Sequence, residues 1–292
     1  MGETDKGKME SFYIITNASR DTDLSATKEV EEFLSRRNKK YCTHIAYHPS
    51  DDRYTDARDI PEDADCVIVL GGDGTILQAA HDTMERKLPI LGINLGNLGY
   101  LTDVEQSELG PALSSLLEGR VQVEERMMLD GQILKSGEAE GKQAEAMHHH
   151  ALNDIVIHWG GSMRVVNYRV FVNDRFLYDF RADGMIVSTP TGSTAYSMSA
   201  GGPIVEPGSR LMILTPISPH TLNARSVVLS DEDTIRVCAA PGRVYVNFDG
   251  RTNLPMEEAE EVRIVRSSWV TKIIRTRGDS FLTVLHDKFA QK

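Results

Sequence analysis

The sequence has few cysteines and no long apolar run. Its three cysteines, Cys42, Cys66 and Cys238, follow none of the spacings that are typical of metal or redox sites. No stretch approaches the roughly 18 apolar residues of a membrane-spanning helix. The first ten residues are polar and lack the apolar core of a signal peptide. We therefore expect a soluble protein of the reducing cytoplasm that has no membrane partner.

The sequence also lacks an excess of basic residues. It has 32 lysines and arginines against 43 aspartates and glutamates, which gives a formal net charge of −11. Binding to a nucleic-acid backbone requires clustered lysine and arginine side chains. The composition therefore argues against nucleic acid as a partner, whereas a small anionic ligand in a local, metal-assisted pocket is compatible with it.

Two common nucleotide-binding patterns are absent. The sequence contains no G-x-x-x-x-G-K-[ST] pattern, and the glycines of residues 92–101 do not follow the G-x-G-x-x-G spacing of dinucleotide-binding domains. An ordinary P-loop site and an ordinary dehydrogenase site are therefore both disfavoured.

The most informative feature that is present is a strand that runs directly into a glycine turn. The apolar residues 66–70 predict a strand buried on both faces of a parallel sheet, and residues 76–84 carry apolar side chains at helical spacing. Between them lies the turn of residues 71–75, GGDGT. Glycines permit positive φ and a close approach of backbone N–H groups, and a helix N-terminus attracts anions. The turn therefore predicts a phosphate site at the edge of an open α/β sheet.

Asp73 stands inside this anion-binding turn, where a lone carboxylate would repel phosphate. Two functions would explain it: the carboxylate holds Mg²⁺, or it accepts a proton from an attacking hydroxyl. A tight turn in which Asp73 caps the helix through Thr75 or a neighbouring N–H group is the structural alternative. The pattern by itself leaves all three open.

The order of predicted elements changes along the chain, from alternating strands and helices to mainly strands. The first part has strands at 12–16, 43–47, 66–70 and 89–93 and helices at 25–36, 76–84 and 108–118. The second has strands at 121–129, 151–158, 165–172, 182–188, 234–239, 243–248 and 262–265, an exposed loop at 135–146, and a helix at 281–289. We predict a doubly wound α/β domain over residues 1–105, a mostly β domain over 106–268, and a segment over 269–292 that packs back on the α/β domain.

A second glycine cluster occupies residues 92–101 and follows the next strand of the α/β region. Adjacent strands of a parallel sheet end at the same edge. We therefore expect the two glycine loops to share one crevice. An irregular linker between the domains is the alternative for this cluster.

Two polar segments stand out in the β region. Asn153 and Asp154 begin an apolar strand and can present an amide and a carboxylate to ribose hydroxyls or an adenine edge, although a local Asx turn would explain them equally well. Residues 183–203 run from a strand into a hydroxyl-rich turn that contains Tyr196. Hydroxyls, backbone amides and an aromatic face together suit a nucleoside, and a serine-rich linker is the alternative.

Together these segments resemble the NAD kinase family. The segments that carry the resemblance, in the family's order, are residues 71–75, 94–101, 153–154, 189–199, 218–222 and 249–250. The GGDGT turn is shared with phosphofructokinases and diacylglycerol-type lipid kinases, whereas residues 94–101 together with 189–199 are more discriminating. The resemblance covers nearly the whole chain and implies the two-domain fold of NAD kinases and diacylglycerol kinases.

The resemblance implies transfer of a terminal phosphoryl group to the adenosine ribose 2′-hydroxyl of NAD, which gives NADP. Asp73 would accept the proton of that hydroxyl. The residues implied for the donor phosphates, held with Mg²⁺ or another divalent metal, are Gly71, Gly72, Gly74 and Thr75. The residues implied for NAD are Asp73, Gly74, Asn153, Asp154, Arg164, Asp183, Thr194, Ala195, Tyr196, Ser197, Met198 and Ser199. ATP, another nucleoside triphosphate or polyphosphate would be the donor, and the assembly would be a homodimer or homotetramer.

Two other functions remain open on sequence grounds. A lipid or sugar kinase would use the same glycine turn, but a lipid kinase needs an apolar acceptor groove or a basic patch that faces a membrane. A non-catalytic NAD-binding regulator would not require Asp73. Arg251 follows the late Asp-Gly pair where many relatives have glutamine, and an arginine there suits a phosphate.

Several other residues are expected to have structural roles. Three consecutive histidines, His148, His149 and His150, would point alternately to opposite faces of an extended segment, which is poor geometry for one metal ion. We predict that Cys66 is a small buried apolar residue and not a nucleophile.

Overall fold

The structure of the protein is a computed structural model. It describes residues 9–46, 55–96, 99–102, 104–135, 147–161, 165–220, 223–240, 242–276 and 281–290. Arg164 and residues 136–146 of the predicted loop lie outside these ranges. Inside them, no helix is long and apolar enough to cross a membrane. The chain forms two compact units: unit 1 is Met1–Glu125 with Thr271–Lys292, and unit 2 is Arg126–Val270.

Strands are more numerous than helices in the described ranges. The strands are β1 (Ser11–Asn17), β2 (Lys40–Ala46), β3 (Cys66–Gly71), β4 (Pro89–Asn94), β5 (Val104–Glu105), β6 (Gln122–Lys135), β7 (His149–Ala151), β8 (Asp154–Trp159), β9 (Val166–Val172), β10 (Arg175–Ala182), β11 (Gly184–Ser188), β12 (Leu211–Ile217), β13 (Val227–Ser230), β14 (Ile235–Ala239), β15 (Val244–Phe248), β16 (Thr252–Met256) and β17 (Glu260–Arg275). The α-helices are α1 (Ser25–Ser35), α2 (Asp73–Thr83), α3 (Leu109–Leu117), α4 (Tyr196–Ser199) and α5 (Phe281–Ala290). Short 3₁₀ turns occur at Ala57–Asp59, Gln106–Glu108 and Thr191–Thr194.

Unit 1 is built on a parallel sheet in the order β2-β1-β3-β4, with β5 beside β4. The end of β17 also runs parallel to β4, where Ile273 pairs with Ile90. All six residues of β3 are buried, as the continuous apolar run predicts for a strand covered on both faces. Because these strands are parallel, the loops that follow β1, β3 and β4 lie at one edge of the sheet.

Helices α1 and α3 pack in one apolar core with this sheet. Val30 and Leu34 from α1 and Leu109 and Leu113 from α3 are buried in the same cluster as the sheet residues. Helix α3 therefore lies in unit 1, whereas the sequence boundary at residue 105 assigned it to the second domain. Burial of its apolar face against α1 explains the difference.

Unit 2 consists of two sheets of mostly antiparallel strands. One has the order β13-β12-β11-β8-β15-β16, and the other includes β10-β9-β14 and the first part of β17. Apolar residues of both sheets, such as Ile155 and Val187 on one and Tyr168 and Val237 on the other, form a single buried cluster. The predicted class, an α/β region followed by a mostly β region, is confirmed.

Two predicted strands are each split in the structure. The strand predicted over 151–158 is β7 and β8, separated at Leu152 and Asn153, and the strand predicted over 182–188 is the end of β10 and all of β11, separated at Asp183. Each interruption includes one polar residue, Asn153 or Asp183, that lines the same cavity. The apolar pattern continues across them, so alternation alone could not locate the breaks.

Five strands were not predicted as strands of their own, namely β5, β10, β12, β13 and β16. Proline counts against a strand, and β12 and β16 contain Pro216 and Pro255. Strand β16 is the last strand of its sheet, which is where proline is tolerated because an edge has N–H positions that face away from the ladder. Strand β17 is also much longer than the predicted 262–265.

Candidate functional site

The glycine turn of unit 1 connects β3 to α2 as predicted. One of its glycines allows close packing, and the other two leave the backbone accessible. Gly72 stands at the N-cap of α2 in an extended conformation (φ −122°, ψ −171°) and accepts bonds from Thr75 N (3.0 Å) and Ile76 N (3.2 Å). None of Gly71, Gly72 and Gly74 has a positive φ, so that part of the expectation is wrong. A Cβ on Gly71 would overlap the Thr75 side chain, whereas one on Gly72 or Gly74 would meet nothing within 4 Å.

Asp73 bonds to the second glycine loop and does not cap its own helix. Its Oδ2 accepts from Tyr100 N (2.9 Å) and its Oδ1 from Leu101 N (3.1 Å). No side-chain bond caps the start of α2, so the capping alternative is wrong. A Cβ on Gly99 would overlap Oδ1 of Asp73, which means that the carboxylate occupies the space that this glycine leaves.

The second loop is held by bonds of its own. Asn94 Nδ2 donates to Gly96 O (2.9 Å), and Gly99 N donates to Thr102 Oγ1 (3.0 Å). Leu95 N donates to Gly71 O (3.2 Å). The two glycine loops therefore meet at one edge of the sheet, as their positions after adjacent strands predict.

The C-terminal residues of unit 1 contact this loop. Arg275 donates to the carbonyls of Tyr100 and Thr102 at 3.4 Å each. Lys288 of α5 places its ammonium group 4.3 Å from the centre of the Tyr100 ring, within the range of a cation–π contact. Tyr100, whose N–H group holds Asp73, is thus fixed through its carbonyl and its ring as well.

The end of β1 adds two residues that sequence analysis missed. Asn17 Nδ2 lies 3.4 Å from Thr75 Oγ1. A Cβ on Gly96 would lie 3.1 Å from an Nη atom of Arg20. Both residues could have been predicted to lie near the glycine turn. Strand β1 ends at Asn17, shortly before Arg20, and pairs directly with β3 in a parallel sheet.

Unit 2 contains a cavity of about 580 Å³. Five of the residues predicted to contact NAD line it: Asn153, Asp154, Asp183, Ala195 and Tyr196. They come from three separate segments, and Tyr196, which is 45% exposed, presents an aromatic face at the wall. We call this space the unit 2 cavity.

Asp154 is the most perturbed ionisable group of the cavity wall. The residue is buried, with 5% of its surface exposed. Burial, followed by the negative charge of Asp249, raises its pKa to about 7. Near neutral pH this carboxyl group can therefore exist as an acid that donates a hydrogen bond or as a carboxylate that accepts one.

The turn that carries Asn153 and Asp154 is not a local Asx turn. Asp249 accepts hydrogen bonds from the amides of Leu152 (2.6 Å), Asn153 (2.8 Å) and Asp154 (3.0 Å). The predicted alternative is therefore wrong, because the acceptor lies far along the chain. Asp249 was part of the resemblance, but its contacts could not be read from the sequence.

The hydroxyl-rich segment packs against this turn. Thr189 donates from its N–H group to Asn153 O (2.9 Å) and from Oγ1 to Leu152 O (2.6 Å). A Cβ on Gly192 would overlap the Asn153 backbone, so the 3₁₀ turn Thr191–Thr194 approaches it as closely as a glycine allows. The segment is ordered by these bonds and is not a serine-rich linker.

Some hydroxyls of this segment are used inside the fold. Ser197 is fully buried and its Oγ lies 3.2 Å from Thr215 Oγ1. Thr194 Oγ1 donates to Thr191 O (3.2 Å). Neither these two nor Met198 and Ser199 line the unit 2 cavity, although all four were among the residues predicted to contact NAD.

The remaining predictions concern residues outside both sites. His148 Nδ1 lies 2.7 Å from an Asp130 oxygen, and the ring of His149 packs 5.0 Å from that of Phe248, so the expected alternation of faces is confirmed. Cys66 is fully buried, and burial raises the pKa of its thiol. In the described ranges, no three histidine, cysteine, aspartate or glutamate residues form a group that could hold a metal ion.

Two family models match this chain, one in each half. The chain matches the family model of the ATP-NAD kinase N-terminal domain over residues 12–121 and that of the ATP-NAD kinase C-terminal domain over residues 152–276. It is 38% identical to an NAD kinase of Lachnoclostridium phytofermentans over 291 residues, which cover 97% of this chain and 100% of the relative. It is 41% identical to an NAD kinase of Geotalea daltonii over 285 residues, which cover 96% of this chain and 98% of the relative.

Two solved structures have the same fold. An NAD kinase from Archaeoglobus fulgidus in complex with ATP matches with a TM-score of 0.75 and 26% identity, covering 95% of this chain and 98% of that one. A yeast NADH kinase complexed with NADH matches with a TM-score of 0.79 and 23% identity, covering 98% and 90%. With full-length relatives at this level of identity and both family domains matched, the chain belongs to the NAD kinase family, enzymes that phosphorylate NAD to NADP.

Proposed function

We propose that this enzyme transfers the terminal phosphoryl group of ATP, another nucleoside triphosphate or polyphosphate to the 2′-hydroxyl of the adenosine ribose of NAD. The observation that carries the proposal is the Asp73 carboxylate, which two backbone amides hold between two glycine loops. A carboxylate fixed in this way is suited to a hydroxyl that must be oriented and deprotonated during attack.

Asp73 is the proton acceptor in this proposal. Each of its oxygens accepts one amide hydrogen bond, which leaves further lone pairs for the acceptor hydroxyl. The bonds from Tyr100 and Leu101 fix the orientation of the carboxylate before substrate binds. Asp73 therefore orients the hydroxyl for in-line attack and takes its proton as the new O–P bond forms, while the bond to the leaving phosphate breaks.

The glycine turn binds the donor phosphates. Gly72 and Gly74 have open space where a Cβ would stand, so phosphate oxygens can approach the N–H groups at the start of α2. The helix N-terminus adds partial positive charge. Gly71 and Thr75 support this binding by shaping the turn. The ATP in the complex of the Archaeoglobus fulgidus relative supports a nucleoside triphosphate as donor.

A divalent cation would enter this site together with the donor phosphates. Mg²⁺ is commonly bound by one or two carboxylates together with substrate phosphates. Among the described residues, no three histidine, cysteine, aspartate or glutamate side chains are grouped to bind a metal ion by themselves. The described residues are therefore compatible with an ion bound mainly by the donor phosphates. When bound, the ion neutralises charge on the phosphates, and the residues of this chain supply the positioning.

The unit 2 cavity binds the adenosine part of NAD. Its volume, about 580 Å³, lies within the range of about 300–1,000 Å³ typical of small-molecule sites. Asn153 and Asp154 hydrogen-bond ribose hydroxyls or the adenine edge, and Tyr196 packs against a ring. Asp183 and Ala195 complete the wall. Thr194, Met198, Ser199 and Arg164 remain proposed contacts, and Ser197 contributes through its backbone.

The proposed assembly is a homodimer or homotetramer, as the family resemblance implies. Sedimentation velocity of the purified protein measures it directly. A monomer at micromolar concentration would contradict this part of the proposal. The proposed function involves no substrate other than NAD and the phosphoryl donor.

The test of the reaction is formation of NADP by the purified protein. The protein is incubated with Mg²⁺, NAD and either ATP or polyphosphate, and NADP is read with an NADP-specific dehydrogenase. Product identifies the donor, and proton–phosphorus coupling in the NMR spectrum of the product identifies the phosphorylated hydroxyl. No NADP with any donor, while NAD still binds, would overturn the proposed reaction in favour of a regulator.

A further inference from the structure

The residues Asp249 and Gly250 form the tip of the hairpin between β15 and β16. Both have positive φ values, +53° and +71°, and Arg251 N donates to Phe248 O across the tip (2.9 Å). Positive φ at both central residues defines a type I′ turn, for which Asp-Gly and Asn-Gly are favoured sequences. The turn alone therefore explains why a short polar residue and a glycine occupy these positions, but it does not explain the carboxylate.

The carboxylate of Asp249 accepts hydrogen bonds from three consecutive backbone amides. Oδ2 accepts from Leu152 N, and Oδ1 accepts from Asn153 N and Asp154 N, at 2.6, 2.8 and 3.0 Å. Asp249 is 8% exposed, so these bonds are largely shielded from water. Hydrogen bonds to an ionised acceptor are stronger than neutral ones, and more so away from solvent.

The carbonyl groups of the same turn are also held from outside it. Thr189 donates to the carbonyls of Leu152 and Asn153, and Asp249 N donates to the carbonyl of Asp154 (3.0 Å). Two residues thus satisfy all six backbone polar groups of residues 152–154. The turn therefore has its conformation imposed by Asp249 and Thr189, and the side chains of Asn153 and Asp154 are left available at the cavity wall.

We propose that Asp249 is the positioning residue of the unit 2 cavity, whose carboxylate fixes residues 152–154 so that Asn153 and Asp154 meet the nucleoside. This role rests on the proposed function, in which the cavity takes the adenosine part of NAD. Asp249 acts through the turn, because its oxygens are already engaged by the three amides. It is therefore assigned to substrate binding and not to the chemical step.

The same carboxylate sets the electrostatic environment of Asp154. Burial and the charge of Asp249 raise the pKa of Asp154 to about 7. His158, Asp183 and Tyr196 are the other titratable groups of the cavity wall, but Asp249 is the charged group that contributes to this shift. Removing its charge would lower the pKa of Asp154 without touching Asp154 itself.

The test is Asp249→Asn, measured by NAD binding and by steady-state kinetics. Asn-Gly also favours a type I′ turn, so the hairpin is preserved. The asparagine side chain has one acceptor oxygen, whereas the aspartate has two. Its NH₂ group would face a backbone N–H group of residues 152–154, which would therefore lose its hydrogen-bond acceptor. We expect the Kd and KM for NAD to rise about tenfold or more, the loss that one charge-assisted bond represents, with kcat at saturating NAD changed by less than about threefold.

Asp174→Asn is the matched control. Asn173 and Asp174 form the tip of the hairpin between β9 and β10, with φ values of +50° and +61°, so the same change is made in the same kind of turn. The side chain of Asp174 is 85% exposed and pairs with Arg236. We expect its NAD affinity to equal that of the wild type. An equal loss in both variants would overturn the specific role of Asp249.

A pH profile separates positioning from a general loss of stability. In the wild type, NAD affinity should change across the titration of Asp154, and in Asp249→Asn the midpoint of that change should move to lower pH. A structural defect alone would weaken binding without moving the midpoint. An unmoved midpoint in a folded variant would therefore contradict the proposal.

A second variant covers the case in which Asp249→Asn does not fold. Asp249→Glu keeps the negative charge but places the carboxylate one methylene further from the backbone, so NAD affinity should again fall. A folded Asp249 variant with wild-type NAD affinity would overturn the positioning role alone. A wild-type protein that does not bind NAD would overturn the proposed function together with it.

Discussion

In unit 1 the Asp73 carboxylate is held by amides 27 and 28 residues away, whereas in unit 2 the turn of Asn153 and Asp154 is held by a carboxylate 95 to 97 residues away. In unit 1, backbone amides fix the orientation of the Asp73 carboxylate, which is the proposed reacting group. In unit 2, the Asp249 carboxylate fixes the backbone amides of residues 152–154, which carry the proposed NAD contacts. In the proposed function, hydrogen bonds between a carboxylate and backbone amides therefore serve the reaction in one unit and NAD binding in the other.

The difference predicts different consequences of damage. Loss of the Asp73 carboxylate removes the reacting group itself, so turnover suffers and binding is spared. Loss of the Asp249 carboxylate disturbs a surface that binds NAD, so affinity suffers and turnover at saturation is spared. Mutations in the two units should therefore separate kcat from Kd.

The largest effect is expected for Asp73→Asn. The amide can still accept one backbone hydrogen bond but cannot take a proton, so kcat should fall by about 10²–10⁴-fold, the usual contribution of a general base. The Kd for NAD should change little, because the role is realised in the transition state. Asp63→Asn, which alters an exposed ion pair with Lys40 in the same unit, is the control. A wild-type rate in Asp73→Asn would end the proton-acceptor role.

The next effect is expected for Gly99→Ala. The added methyl would overlap the Asp73 carboxylate, which is the end of a side chain and can rotate away. The displaced carboxylate would lose its bonds from Tyr100 and Leu101, so the protein should fold with a reduced free energy of unfolding, while kcat falls about 10²-fold, as for a reacting group displaced by about 1 Å. Urea unfolding and steady-state kinetics measure the two effects.

Gly110→Ala is the control for that substitution. A Cβ on Gly110 meets nothing within 4 Å, and this residue lies in the first turn of α3. Its stability should stay equal or rise by up to about 1 kcal/mol, since alanine is favoured over glycine in helices. If Gly99→Ala has full activity, the geometry assigned to Asp73 is wrong.

Gly192→Ala is expected to give a different pattern in unit 2. Its methyl would overlap the backbone of Asn153, which cannot rotate away as a side chain does. We expect a loss of about 1–3 kcal/mol in the free energy of unfolding together with weaker NAD binding. Chemical denaturation and NAD titration test this, and unchanged stability would show that the 3₁₀ turn tolerates displacement.

The last prediction concerns Asp154→Asn and is read as the pH dependence of the free energy of unfolding. The folded-state pKa of Asp154, about 7, lies above its ordinary value of 3.8. The folded protein thus binds more protons than the unfolded chain between these values, and this group's contribution to stability is lost as the pH rises through about 7. Asparagine does not titrate, so the free energy of unfolding of the Asp154→Asn variant does not fall in this way as the pH rises.

The stability difference between Asp154→Asn and the wild type should therefore grow in favour of the variant from about pH 5 to pH 8. Urea unfolding across this range measures it. A stability difference between Asp154→Asn and the wild type that stays constant from pH 5 to pH 8 would contradict the raised pKa.

The position of Asp73, the proposed reacting group of unit 1, could be predicted from the sequence because its signals are local. The GGDGT turn lies between an apolar strand and an amphipathic helix, and periodicity locates both. The bonds from Tyr100 and Leu101 could be anticipated only as a meeting of two loops, since their positions depend on the parallel register of β3 and β4. Asn17 and Arg20 follow from the same topology once β1 is known to lie beside β3.

The site of unit 2 was predicted less completely. The polar residues among the predicted strands were identified as candidates, namely Asn153, Asp154, Asp183 and Tyr196. The family resemblance then implied that all four contact NAD. The anchoring bonds of Asp249 and Thr189 depend on the antiparallel pairing of β8 with β15 and β11, which no local pattern reveals. For the same reason Ser197 was predicted as a ligand contact, although its hydroxyl bonds to Thr215 inside the fold.

The most direct test of the division between the two units is a paired measurement of kcat and the NAD dissociation constant in Asp73→Asn and Asp249→Asn. We predict that Asp73→Asn loses turnover and keeps NAD affinity, whereas Asp249→Asn loses affinity and keeps turnover at saturating NAD. If both variants lost the same parameter, or if Asp73→Asn turned over at the wild-type rate, the roles assigned to these two carboxylates would be wrong.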